Sequence, residues 1–436
     1  MLEMRKMKDS GIEWIGEIPE GWEISKVSYF YEVQLGKMLQ PQKKSETDTE
    51  EKYLCAANVG KNSLSLDTLK TMWFSQTEKH QFDLKEGDLL VVEGGDVASC
   101  AIIETPVRNL FFQNALHRVR PLHNESVAFL RYWLMTAKSY GYIDLICNKA
   151  TIAHFSKEKF IALPIPVIPQ DIQSKIVSFL DLECKQIDDL LSKSRSSIEE
   201  YKKLKQAVIT QAVTKGVRGK REMKDSEVEW IGEIPREFDP VQLKFFCKLI
   251  TDGTHFSPTT VENGWPYITA GDVHGIGLDY NSAKRISEED FQLLVAQGCQ
   301  PLKGDVLLVK DGATTGRVGF VDSDTPCVIL SSVAMLRPAD NTDGHYLMYL
   351  LASDFLQKQI LVSMAGSAMP RTTLTKLTKY IGLLPPLHEQ KEIANYLDAK
   401  CAEIDGLIAK KEQLVKELES YKKSLIYEVV TGKREV

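Results

Sequence analysis

The strongest constraint on this 436-residue chain is that it begins twice. MKDSGIEWIGEIPEGW (Met7–Trp22) returns as MKDSEVEWIGEIPREF (Met223–Phe238), an offset of 216. Either a short site is used twice, or two equivalent halves follow one another. Further matches decide for the halves. YLCAANV (Tyr53–Val59) answers to YITAGDV (Tyr267–Val273), and KEGDLLVVEGG (Lys85–Gly95) to LKGDVLLVKDG (Leu302–Gly312). HRVRP, ending at Pro121, answers to AMLRP, ending at Pro338, and FLDLECKQID (Phe179–Asp188) to YLDAKCAEID (Tyr396–Asp405). Offsets stay between 214 and 217. The order is A-B-A′-B′, a tandem duplication of whole modules and not a solenoid of short repeats.

The A regions, 1–162 and 223–382, carry short β-like runs broken by Gly, Pro, Asn and Asp. DLLVVE (Asp88–Glu93), AIIE (Ala101–Glu104), DVLLVK (Asp305–Lys310) and RVGFV (Arg317–Val321) are examples, and helical patches follow at Val127–Ala137 and Gly344–Ser353. They read as compact α+β domains. The B regions, 163–222 and 383–436, open on proline-rich stops, LPIPVIP and LLPPLHEQ. Proline suits the start of a helix and not its interior. Apolar residues then recur at helical spacing: Ile172, Ile176, Leu180, Ile187, Leu191, Ile198, Tyr201, Leu204 and Val208 in B; Ile393, Leu397, Ile404, Leu407, Leu414, Leu418, Tyr421 and Leu425 in B′. Two such helices can bury each other's stripes. The expected fold is therefore α+β, with two globular domains in a pseudo-two-fold arrangement, separated by two long antiparallel coiled-coil-like helices. VVTGKREV (Val429–Val436) stops where another copy of the opening would start, so the two chain ends should lie together. Asp188 to Tyr201 is 13 positions and Asp405 to Tyr421 is 16, which predicts one extra helical turn in B′.

Length alone calls for two domains plus connectors. No apolar run approaches the roughly 20 residues that span a bilayer, and MLEMRKMKDS lacks the apolar core of a secretory signal, so a cytoplasmic protein with no membrane partner is expected. The eight cysteines stand singly with no CxxC pair, as reduced, mostly buried thiols do. There is no phosphate-binding G-x-x-x-x-G-K-[ST] loop, no G-x-S-x-G elbow and no H-E-x-x-H, and the eight histidines are scattered. No catalytic constellation is present. The net charge of −6 disfavours nucleic acid as a partner unless a local basic face or another subunit meets the phosphates.

What recurs is polar loop chemistry at matching places. GKMLQPQKK (Gly36–Lys44) answers to DGTHFSP (Asp252–Pro258), GGD (Gly94–Asp96) to DGATTGR (Asp311–Arg317), and NKATIAH (Asn148–His154) to GSAMPRTT (Gly366–Thr373). Taken singly each is a solvated turn. Taken together they are three loops, in two diverged copies, rich in residues that bind phosphates and base edges. A shared frame with different loops suits recognition of two different things.

With WIGEIP at Trp14–Pro19 and Trp230–Pro235, the PPLHEQKEIANYLD run at Pro385–Asp398 and the two-domain, two-helix order, the chain resembles the specificity subunit of a type I restriction-modification system along essentially its whole length. The first helix departs from the pattern: IPQDIQSKI (Ile168–Ile176) stands where the second has LHEQKEI, with Gln173 in the place of Gln390. The resemblance implies two target recognition domains, each reading half of a split double-stranded DNA sequence, and helices that act as a ruler for the spacer. It implies a non-catalytic chain with two modification subunits, which carry S-adenosylmethionine and methylate adenine, and two restriction subunits, which use ATP and Mg. On that resemblance no cofactor and no metal are expected on this chain itself. The candidate DNA-contact residues are Lys37, Gln40, Gln42, Lys43, Lys149 and His154 in the first domain, and Thr254, His255, Lys310, Thr314, Thr315, Arg317, Arg371 and Thr372 in the second, with Arg317→Ala expected to relax the second half-site only. The competing reading is a coiled-coil scaffold whose globular domains bind proteins.

Overall fold

The computed structural model describes residues 5–60, 63–147, 153–228, 231–364 and 370–436. The chain forms two compact units: residues 1–194 with 413–436, and residues 195–412.

In the first unit an antiparallel sheet has the order β1-β4-β2-β3, with β1 at Tyr31–Leu35, β2 at Leu89–Val92, β3 at Cys100–Ile102 and β4 at Leu116–Pro121. All four residues of β2 are buried although strand side chains alternate between faces. Both faces are covered. Leu89 and Val91 enter a core with Trp133, Phe129 and Phe160, while Leu90 and Val92 enter a second core with Phe74, Phe111 and Phe112. The second core belongs to a three-stranded sheet in which Thr49–Leu54 pairs with Lys70–Phe74 antiparallel and with Leu110–Phe112 parallel. Two-sided burial is why LLVV reads as an unbroken apolar run.

The second unit repeats this plan. Its sheet has the order β5-β8-β6-β7, with β5 at Cys247–Asp252, β6 at Val306–Val309, β7 at Val318–Phe320 and β8 at Val333–Pro338. Val306 and Leu308 face a core with Tyr346, Leu350 and Phe246, and Leu307 and Val309 a core with Ile268 and Ile329. The repeated Asp of EGD and KGD and the repeated Arg before Pro have one purpose in both units. Arg120 Nε and Nη2 donate to the two oxygens of Asp88 at 2.6 and 2.8 Å, and Arg337 Nε and Nη2 to those of Asp305 at 2.9 and 2.7 Å. Each carboxylate also accepts the backbone N–H three residues earlier, Lys85 or Leu302, at 2.8 Å. The pair pins the turn before the central strand to its neighbour.

The long helices run Gln170–Lys215 and Leu387–Val430, 46 and 44 residues. Parts of both enter each unit, and within each they run antiparallel. In the first unit Asp188 takes Lys422 at 2.6 and 2.7 Å; in the second Asp405 takes Lys205 at 2.8 and 2.6 Å, the helices having exchanged roles. Asp188 to Lys205 and Asp405 to Lys422 are each 17 positions, so the expected extra turn in the second helix is absent. The tyrosines 201 and 421 that suggested it are not equivalent: Leu418 and Leu204 occupy the matching places. The apolar stripe is also less completely buried than expected. Ile176, Leu180, Ile187, Ile393, Leu397 and Leu425 are in the cores, but Leu204, Leu407, Leu414 and Tyr421 are 37–48% exposed.

Gln173 does replace Gln390 structurally. Gln173 accepts from Ser126 N at 3.0 Å and donates to Ile168 O at 2.9 Å; Gln390 accepts from Asp343 N at 2.8 Å and donates to Asn341 O and Pro385 O, each at 2.9 Å. Each glutamine ties the start of a long helix to the N-cap of its domain's helix. The repeated Leu-Asp serves the same junction: Tyr132 Oη donates to Asp181 at 2.6 Å and Tyr349 Oη to Asp398 at 2.8 Å.

The duplicated opening is a small antiparallel lock, Met7–Asp9 on Glu17–Pro19 and Met223–Asp225 on Glu233–Pro235. Ile15 and Ile18 are buried with Val429 and Val430, and Ile234 with Ile209 and Val213. Trp14 packs on Trp133 and stacks on Tyr142, centroids 5.1 and 5.3 Å apart; Trp230 lies outside the described residues. Tyr427 Oη and Lys433 Nζ both donate to Ile15 O at 2.8 Å, which brings the C-terminal segment against the opening. The lock turns through Gly11 at φ +72° in the first copy and through Glu227 at φ +58° in the second. A left-handed conformation costs an L-residue about 1–2 kcal/mol. Glu227→Gly is therefore expected to relieve about 1 kcal/mol of that cost, less the extra entropy of an unfolded glycine. The check is a denaturation midpoint, which should rise; a fall would show that the Glu227 side chain earns its place by another contact.

Candidate nucleic-acid interface

The three polar loops of the second domain meet. Thr254 N donates to Ile329 O at 3.2 Å and Ser331 N to Thr254 O at 2.9 Å, joining the first loop to the turn before β8. Lys310 N donates to Ser332 O at 2.8 Å, Thr372 N to Lys310 O at 2.9 Å and Gly312 N to Pro370 O at 3.0 Å, joining the second loop to that turn and to the third loop. Between them lies a cleft of about 370 Å³ lined by His255, Asp311, Gly312, Ser331, Pro370 and Arg371. The backbone framework recurs in the first domain. Lys37 bridges to Gln113 as Thr254 does to Leu330, and Gly94 bridges to His154 as Asp311 does to Arg371.

On this common framework the side chains differ. In the first domain His154 Nδ1 lies 3.0 Å from a Glu93 oxygen. In the second the place of Glu93 is taken by Lys310, and the carboxylate has moved one residue along: Arg371 Nε is 2.8 Å from Asp311 Oδ1. An acid–base contact still joins the two loops, but its residues and charges have changed. Arg371 keeps 59% of its side chain exposed, so its guanidinium has donors to spare for a ligand.

Exposure divides the expected contact residues. Gln42, Lys43, His154, His255, Arg317 and Arg371 are exposed, with Lys43 Nζ 5.7 Å from the centre of the Trp73 ring. Thr314 and Thr315 are half-buried, and Thr315 Oγ1 donates to Gly312 O at 2.7 Å. Five others differ from expectation in being buried. Lys37 is paired with Glu78 and donates to Gln40 Oε1 at 2.8 Å, and Gln40 donates to Asp48 at 3.1 Å. The backbone N–H of Lys44, with help from that of Ser45, holds the Asp48 carboxyl below the usual carboxylate range. Lys310 is 3% exposed between Asp252 at 3.3 Å and Asp311 at 2.8 Å. Thr254 accepts from Phe256 N at 2.9 Å, and Thr372 Oγ1 lies 2.6 Å from Tyr380 Oη. A buried cation must be paired, as Lys37 and Lys310 are. Lys149 lies outside the described residues. Arg317 stands apart from the other exposed residues of the second domain. It lines a separate cleft of about 500 Å³ beside Lys202, Lys205, Gly275, Asp354 and Gln357, and not the one holding His255 and Arg371. The cations and amides stand out in the sequence; the acids that neutralise or orient them, Glu78, Asp48, Asp252 and Asp311, do not. Glu78 alone carried a local signal, the Ser75-x-x-Glu78 capping box.

A buried strand position also distinguishes the two domains. His117 is fully buried, with Nε2 2.7 Å from Phe155 O. A carbonyl only accepts, so Nε2 carries the hydrogen and Nδ1 is left without a partner. Burial depresses this imidazole below its ordinary value of 6.5. On acidification the unfolded chain is protonated first. The stability that neutral His117 allows is therefore complete above about pH 6.5 and is lost as pH falls below it. The equivalent residue in the second unit is Ala334. Between pH 7 and 5, exchange protection corrected for intrinsic rates should fall more in β4 than in β8; an equal fall would exclude His117 as the cause.

Among the described residues no helix is long and apolar enough to cross a membrane, and no cluster of three or more His, Cys, Asp or Glu side chains could hold a metal. All eight cysteines are free thiols, six of them buried.

The architecture is that of a duplicated recognition module. The family described as the type I restriction modification DNA specificity domain matches the chain twice, at residues 19–200 and 235–417. The chain belongs to this family and carries two copies of its domain. Among its relatives, the type I restriction enzyme MjaVIII specificity subunit of Methanocaldococcus jannaschii is 28% identical over 65% of this chain. That match spans 64% of the relative's own length. The putative MjaX specificity subunit of the same organism is 25% identical over 96% of this chain and 95% of its own. A chain from a solved type I R-M system, studied for complex assembly and conformational transition, shares the fold with a TM-score of 0.72 at 15% identity, covering 95% of this chain and 98% of that one.

Proposed function

We propose that this chain is the non-catalytic, sequence-reading subunit of a type I restriction-modification complex, each of its two domains recognising one half of a split double-stranded DNA target. The observation that carries the reading is the three-loop framework built twice with different side chains, His154 with Glu93 in one and Arg371 with Asp311 in the other. Two copies kept for stability alone would have no reason to preserve the loop bridges while exchanging the residues on them. On this reading residues 1–162 and 223–382 are the recognition domains, and 163–222 and 383–436 the helical segments that set the spacer. Gln42, Lys43 and His154 contact the first half-site and His255, Thr314 and Arg371 the second, while Lys37, Gln40, Thr254, Lys310, Thr315 and Thr372 shape the loops. Arg317, in its own cleft, takes phosphate and not a base. Methylation of adenine, which requires flipping the base out of the stack, and ATP-driven restriction fall to the modification and restriction subunits. The acidic net charge is compatible with this, since phosphate neutralisation needs only a local basic surface shared with those partners.

The test is methylome sequencing of cells expressing the chain with its modification subunit. A two-part adenine-methylated motif that disappears when the chain is omitted is the expected result. Methylation independent of the chain overturns the proposal. Arg371→Ala should relax the second half of the motif and leave the first intact.

A further inference from the structure

The loops that frame the candidate interface hold out apolar side chains at matching positions. Met38 and Leu39 are 76% and 54% exposed, and Phe256, the counterpart of Leu39, is 49% exposed. A single exposed apolar residue needs no explanation. Here, however, the exposure is imposed from behind in the same way twice. Gly36 and Gly253 lie so close to the backbone at Gln113 and Ile329 that neither leaves room for a Cβ. The next residues are fastened by equivalent bonds, Lys37 N to Phe112 O at 3.1 Å and Thr254 N to Ile329 O at 3.2 Å. Their side chains are turned inward and buried. The following two residues have nowhere to pack and stand in solvent. In the second domain the first of them, His255, lines the cleft with Arg371.

An apolar tip has nothing to offer a phosphate, which takes hydrogen-bond donors and cations. Within the major groove the apolar feature of a base edge is the C5 methyl of thymine, which phenylalanine and aliphatic side chains contact. We infer that Leu39 and Phe256 are specificity-determining residues that each read a thymine methyl, one in each half-site. The inference rests on the DNA-reading function proposed above.

The experiment uses the full chain assembled with its modification subunits and duplexes carrying its target, in which each thymine is replaced singly by uracil, a change that removes only the methyl. At one position of the second half-site, uracil should weaken binding by the native complex about fourfold, the factor that burial of one methyl-sized group carries. Phe256→Ala should bind the thymine and uracil duplexes equally, Phe256→Leu should keep a preference for thymine, and neither should alter uracil sensitivity in the first half-site. Leu39→Ala should mirror this in the first half-site. Indifference to uracil throughout the second half-site, a second half-site without thymine on either strand, or an unchanged thymine preference in Phe256→Ala overturns the inference while leaving the proposed function standing. Failure of the native complex to select any split DNA target overturns both.

Discussion

Asp305→Ala is expected to cost the second unit about 3 kcal/mol or more, the loss typical of removing one partner from a largely buried ion pair. Asp305 is 3% exposed and Arg337 23%. The carboxylate receives two guanidinium donors and the Leu302 N–H. Its removal leaves a partly desolvated cation without a counter-charge and one backbone donor without an acceptor. These groups tie the turn before β6 to β8, so the effect should spread through the sheet that supports the second and third loops. Denaturation should show a lowered midpoint. Hydrogen exchange should place the loss in Val306–Val309 and Val333–Pro338, leaving Leu89–Val92 of the first unit protected. An unaltered midpoint together with unaltered exchange would mean that the pair is solvated in solution and is a surface ion pair of little worth. Asp88→Ala should act correspondingly in the first unit, through Arg120.

Gly253→Ala is the second large effect, and it should separate recognition from overall folding. A methyl at this position would overlap the Ile329 carbonyl and the backbone of Leu330. Overpacking against fixed backbone costs about 1–3 kcal/mol and is relieved by moving the chain. The segment able to move is the first loop, because Ile329 is held in a buried strand parallel to Ile268. The bond from Thr254 N to Ile329 O would open, and His255 and Phe256 would be displaced with it. The expected outcome is a modest fall in stability with selective loss of the second half-site, read as relaxed or absent methylation there. Gly36→Ala should do the same to the first half-site, through Gln113. If Gly253→Ala lowers stability but leaves both half-sites sharp, the first loop takes no part in recognition.

Much of the architecture was legible because duplication leaves its mark at every level. The offset of 217 between Asp88 and Asp305, Arg120 and Arg337, and Asp188 and Asp405 identifies residues that meet the same neighbours twice. The helices announce themselves by apolar periodicity, and proline marks their starts. The strands β2 and β6 are legible as short apolar runs bounded by Gly-Asp and Glu-Gly or Lys-Asp-Gly, since a strand buried on both faces needs no alternation. The polar loops were legible as a set. Their membership could be read from composition, and their convergence could not.

What escaped the sequence depends on which groups meet across long separations. Lys310 resembles any loop cation until Asp252, on another strand, is found 3.3 Å away. Thr372 resembles a reader until Tyr380 is found against it. Arg317 belongs to the same glycine-rich loop as Asp311, yet the turn sends the two ends of that loop to different clefts. Tyr201 and Tyr421 match in identity but not in position along the repeat, and so mimic an extra turn that the second helix lacks.

The sequence by itself determined the duplication, the α+β modules, the two long helices and the loops worth inspecting, because each of these is encoded in local periodicity or in direct comparison of one half with the other. Only the tertiary structure decided which loop side chains face outward. Burial and charge pairing are settled by residues brought together from distant parts of the chain, and a buried lysine and an exposed one are written with the same letter.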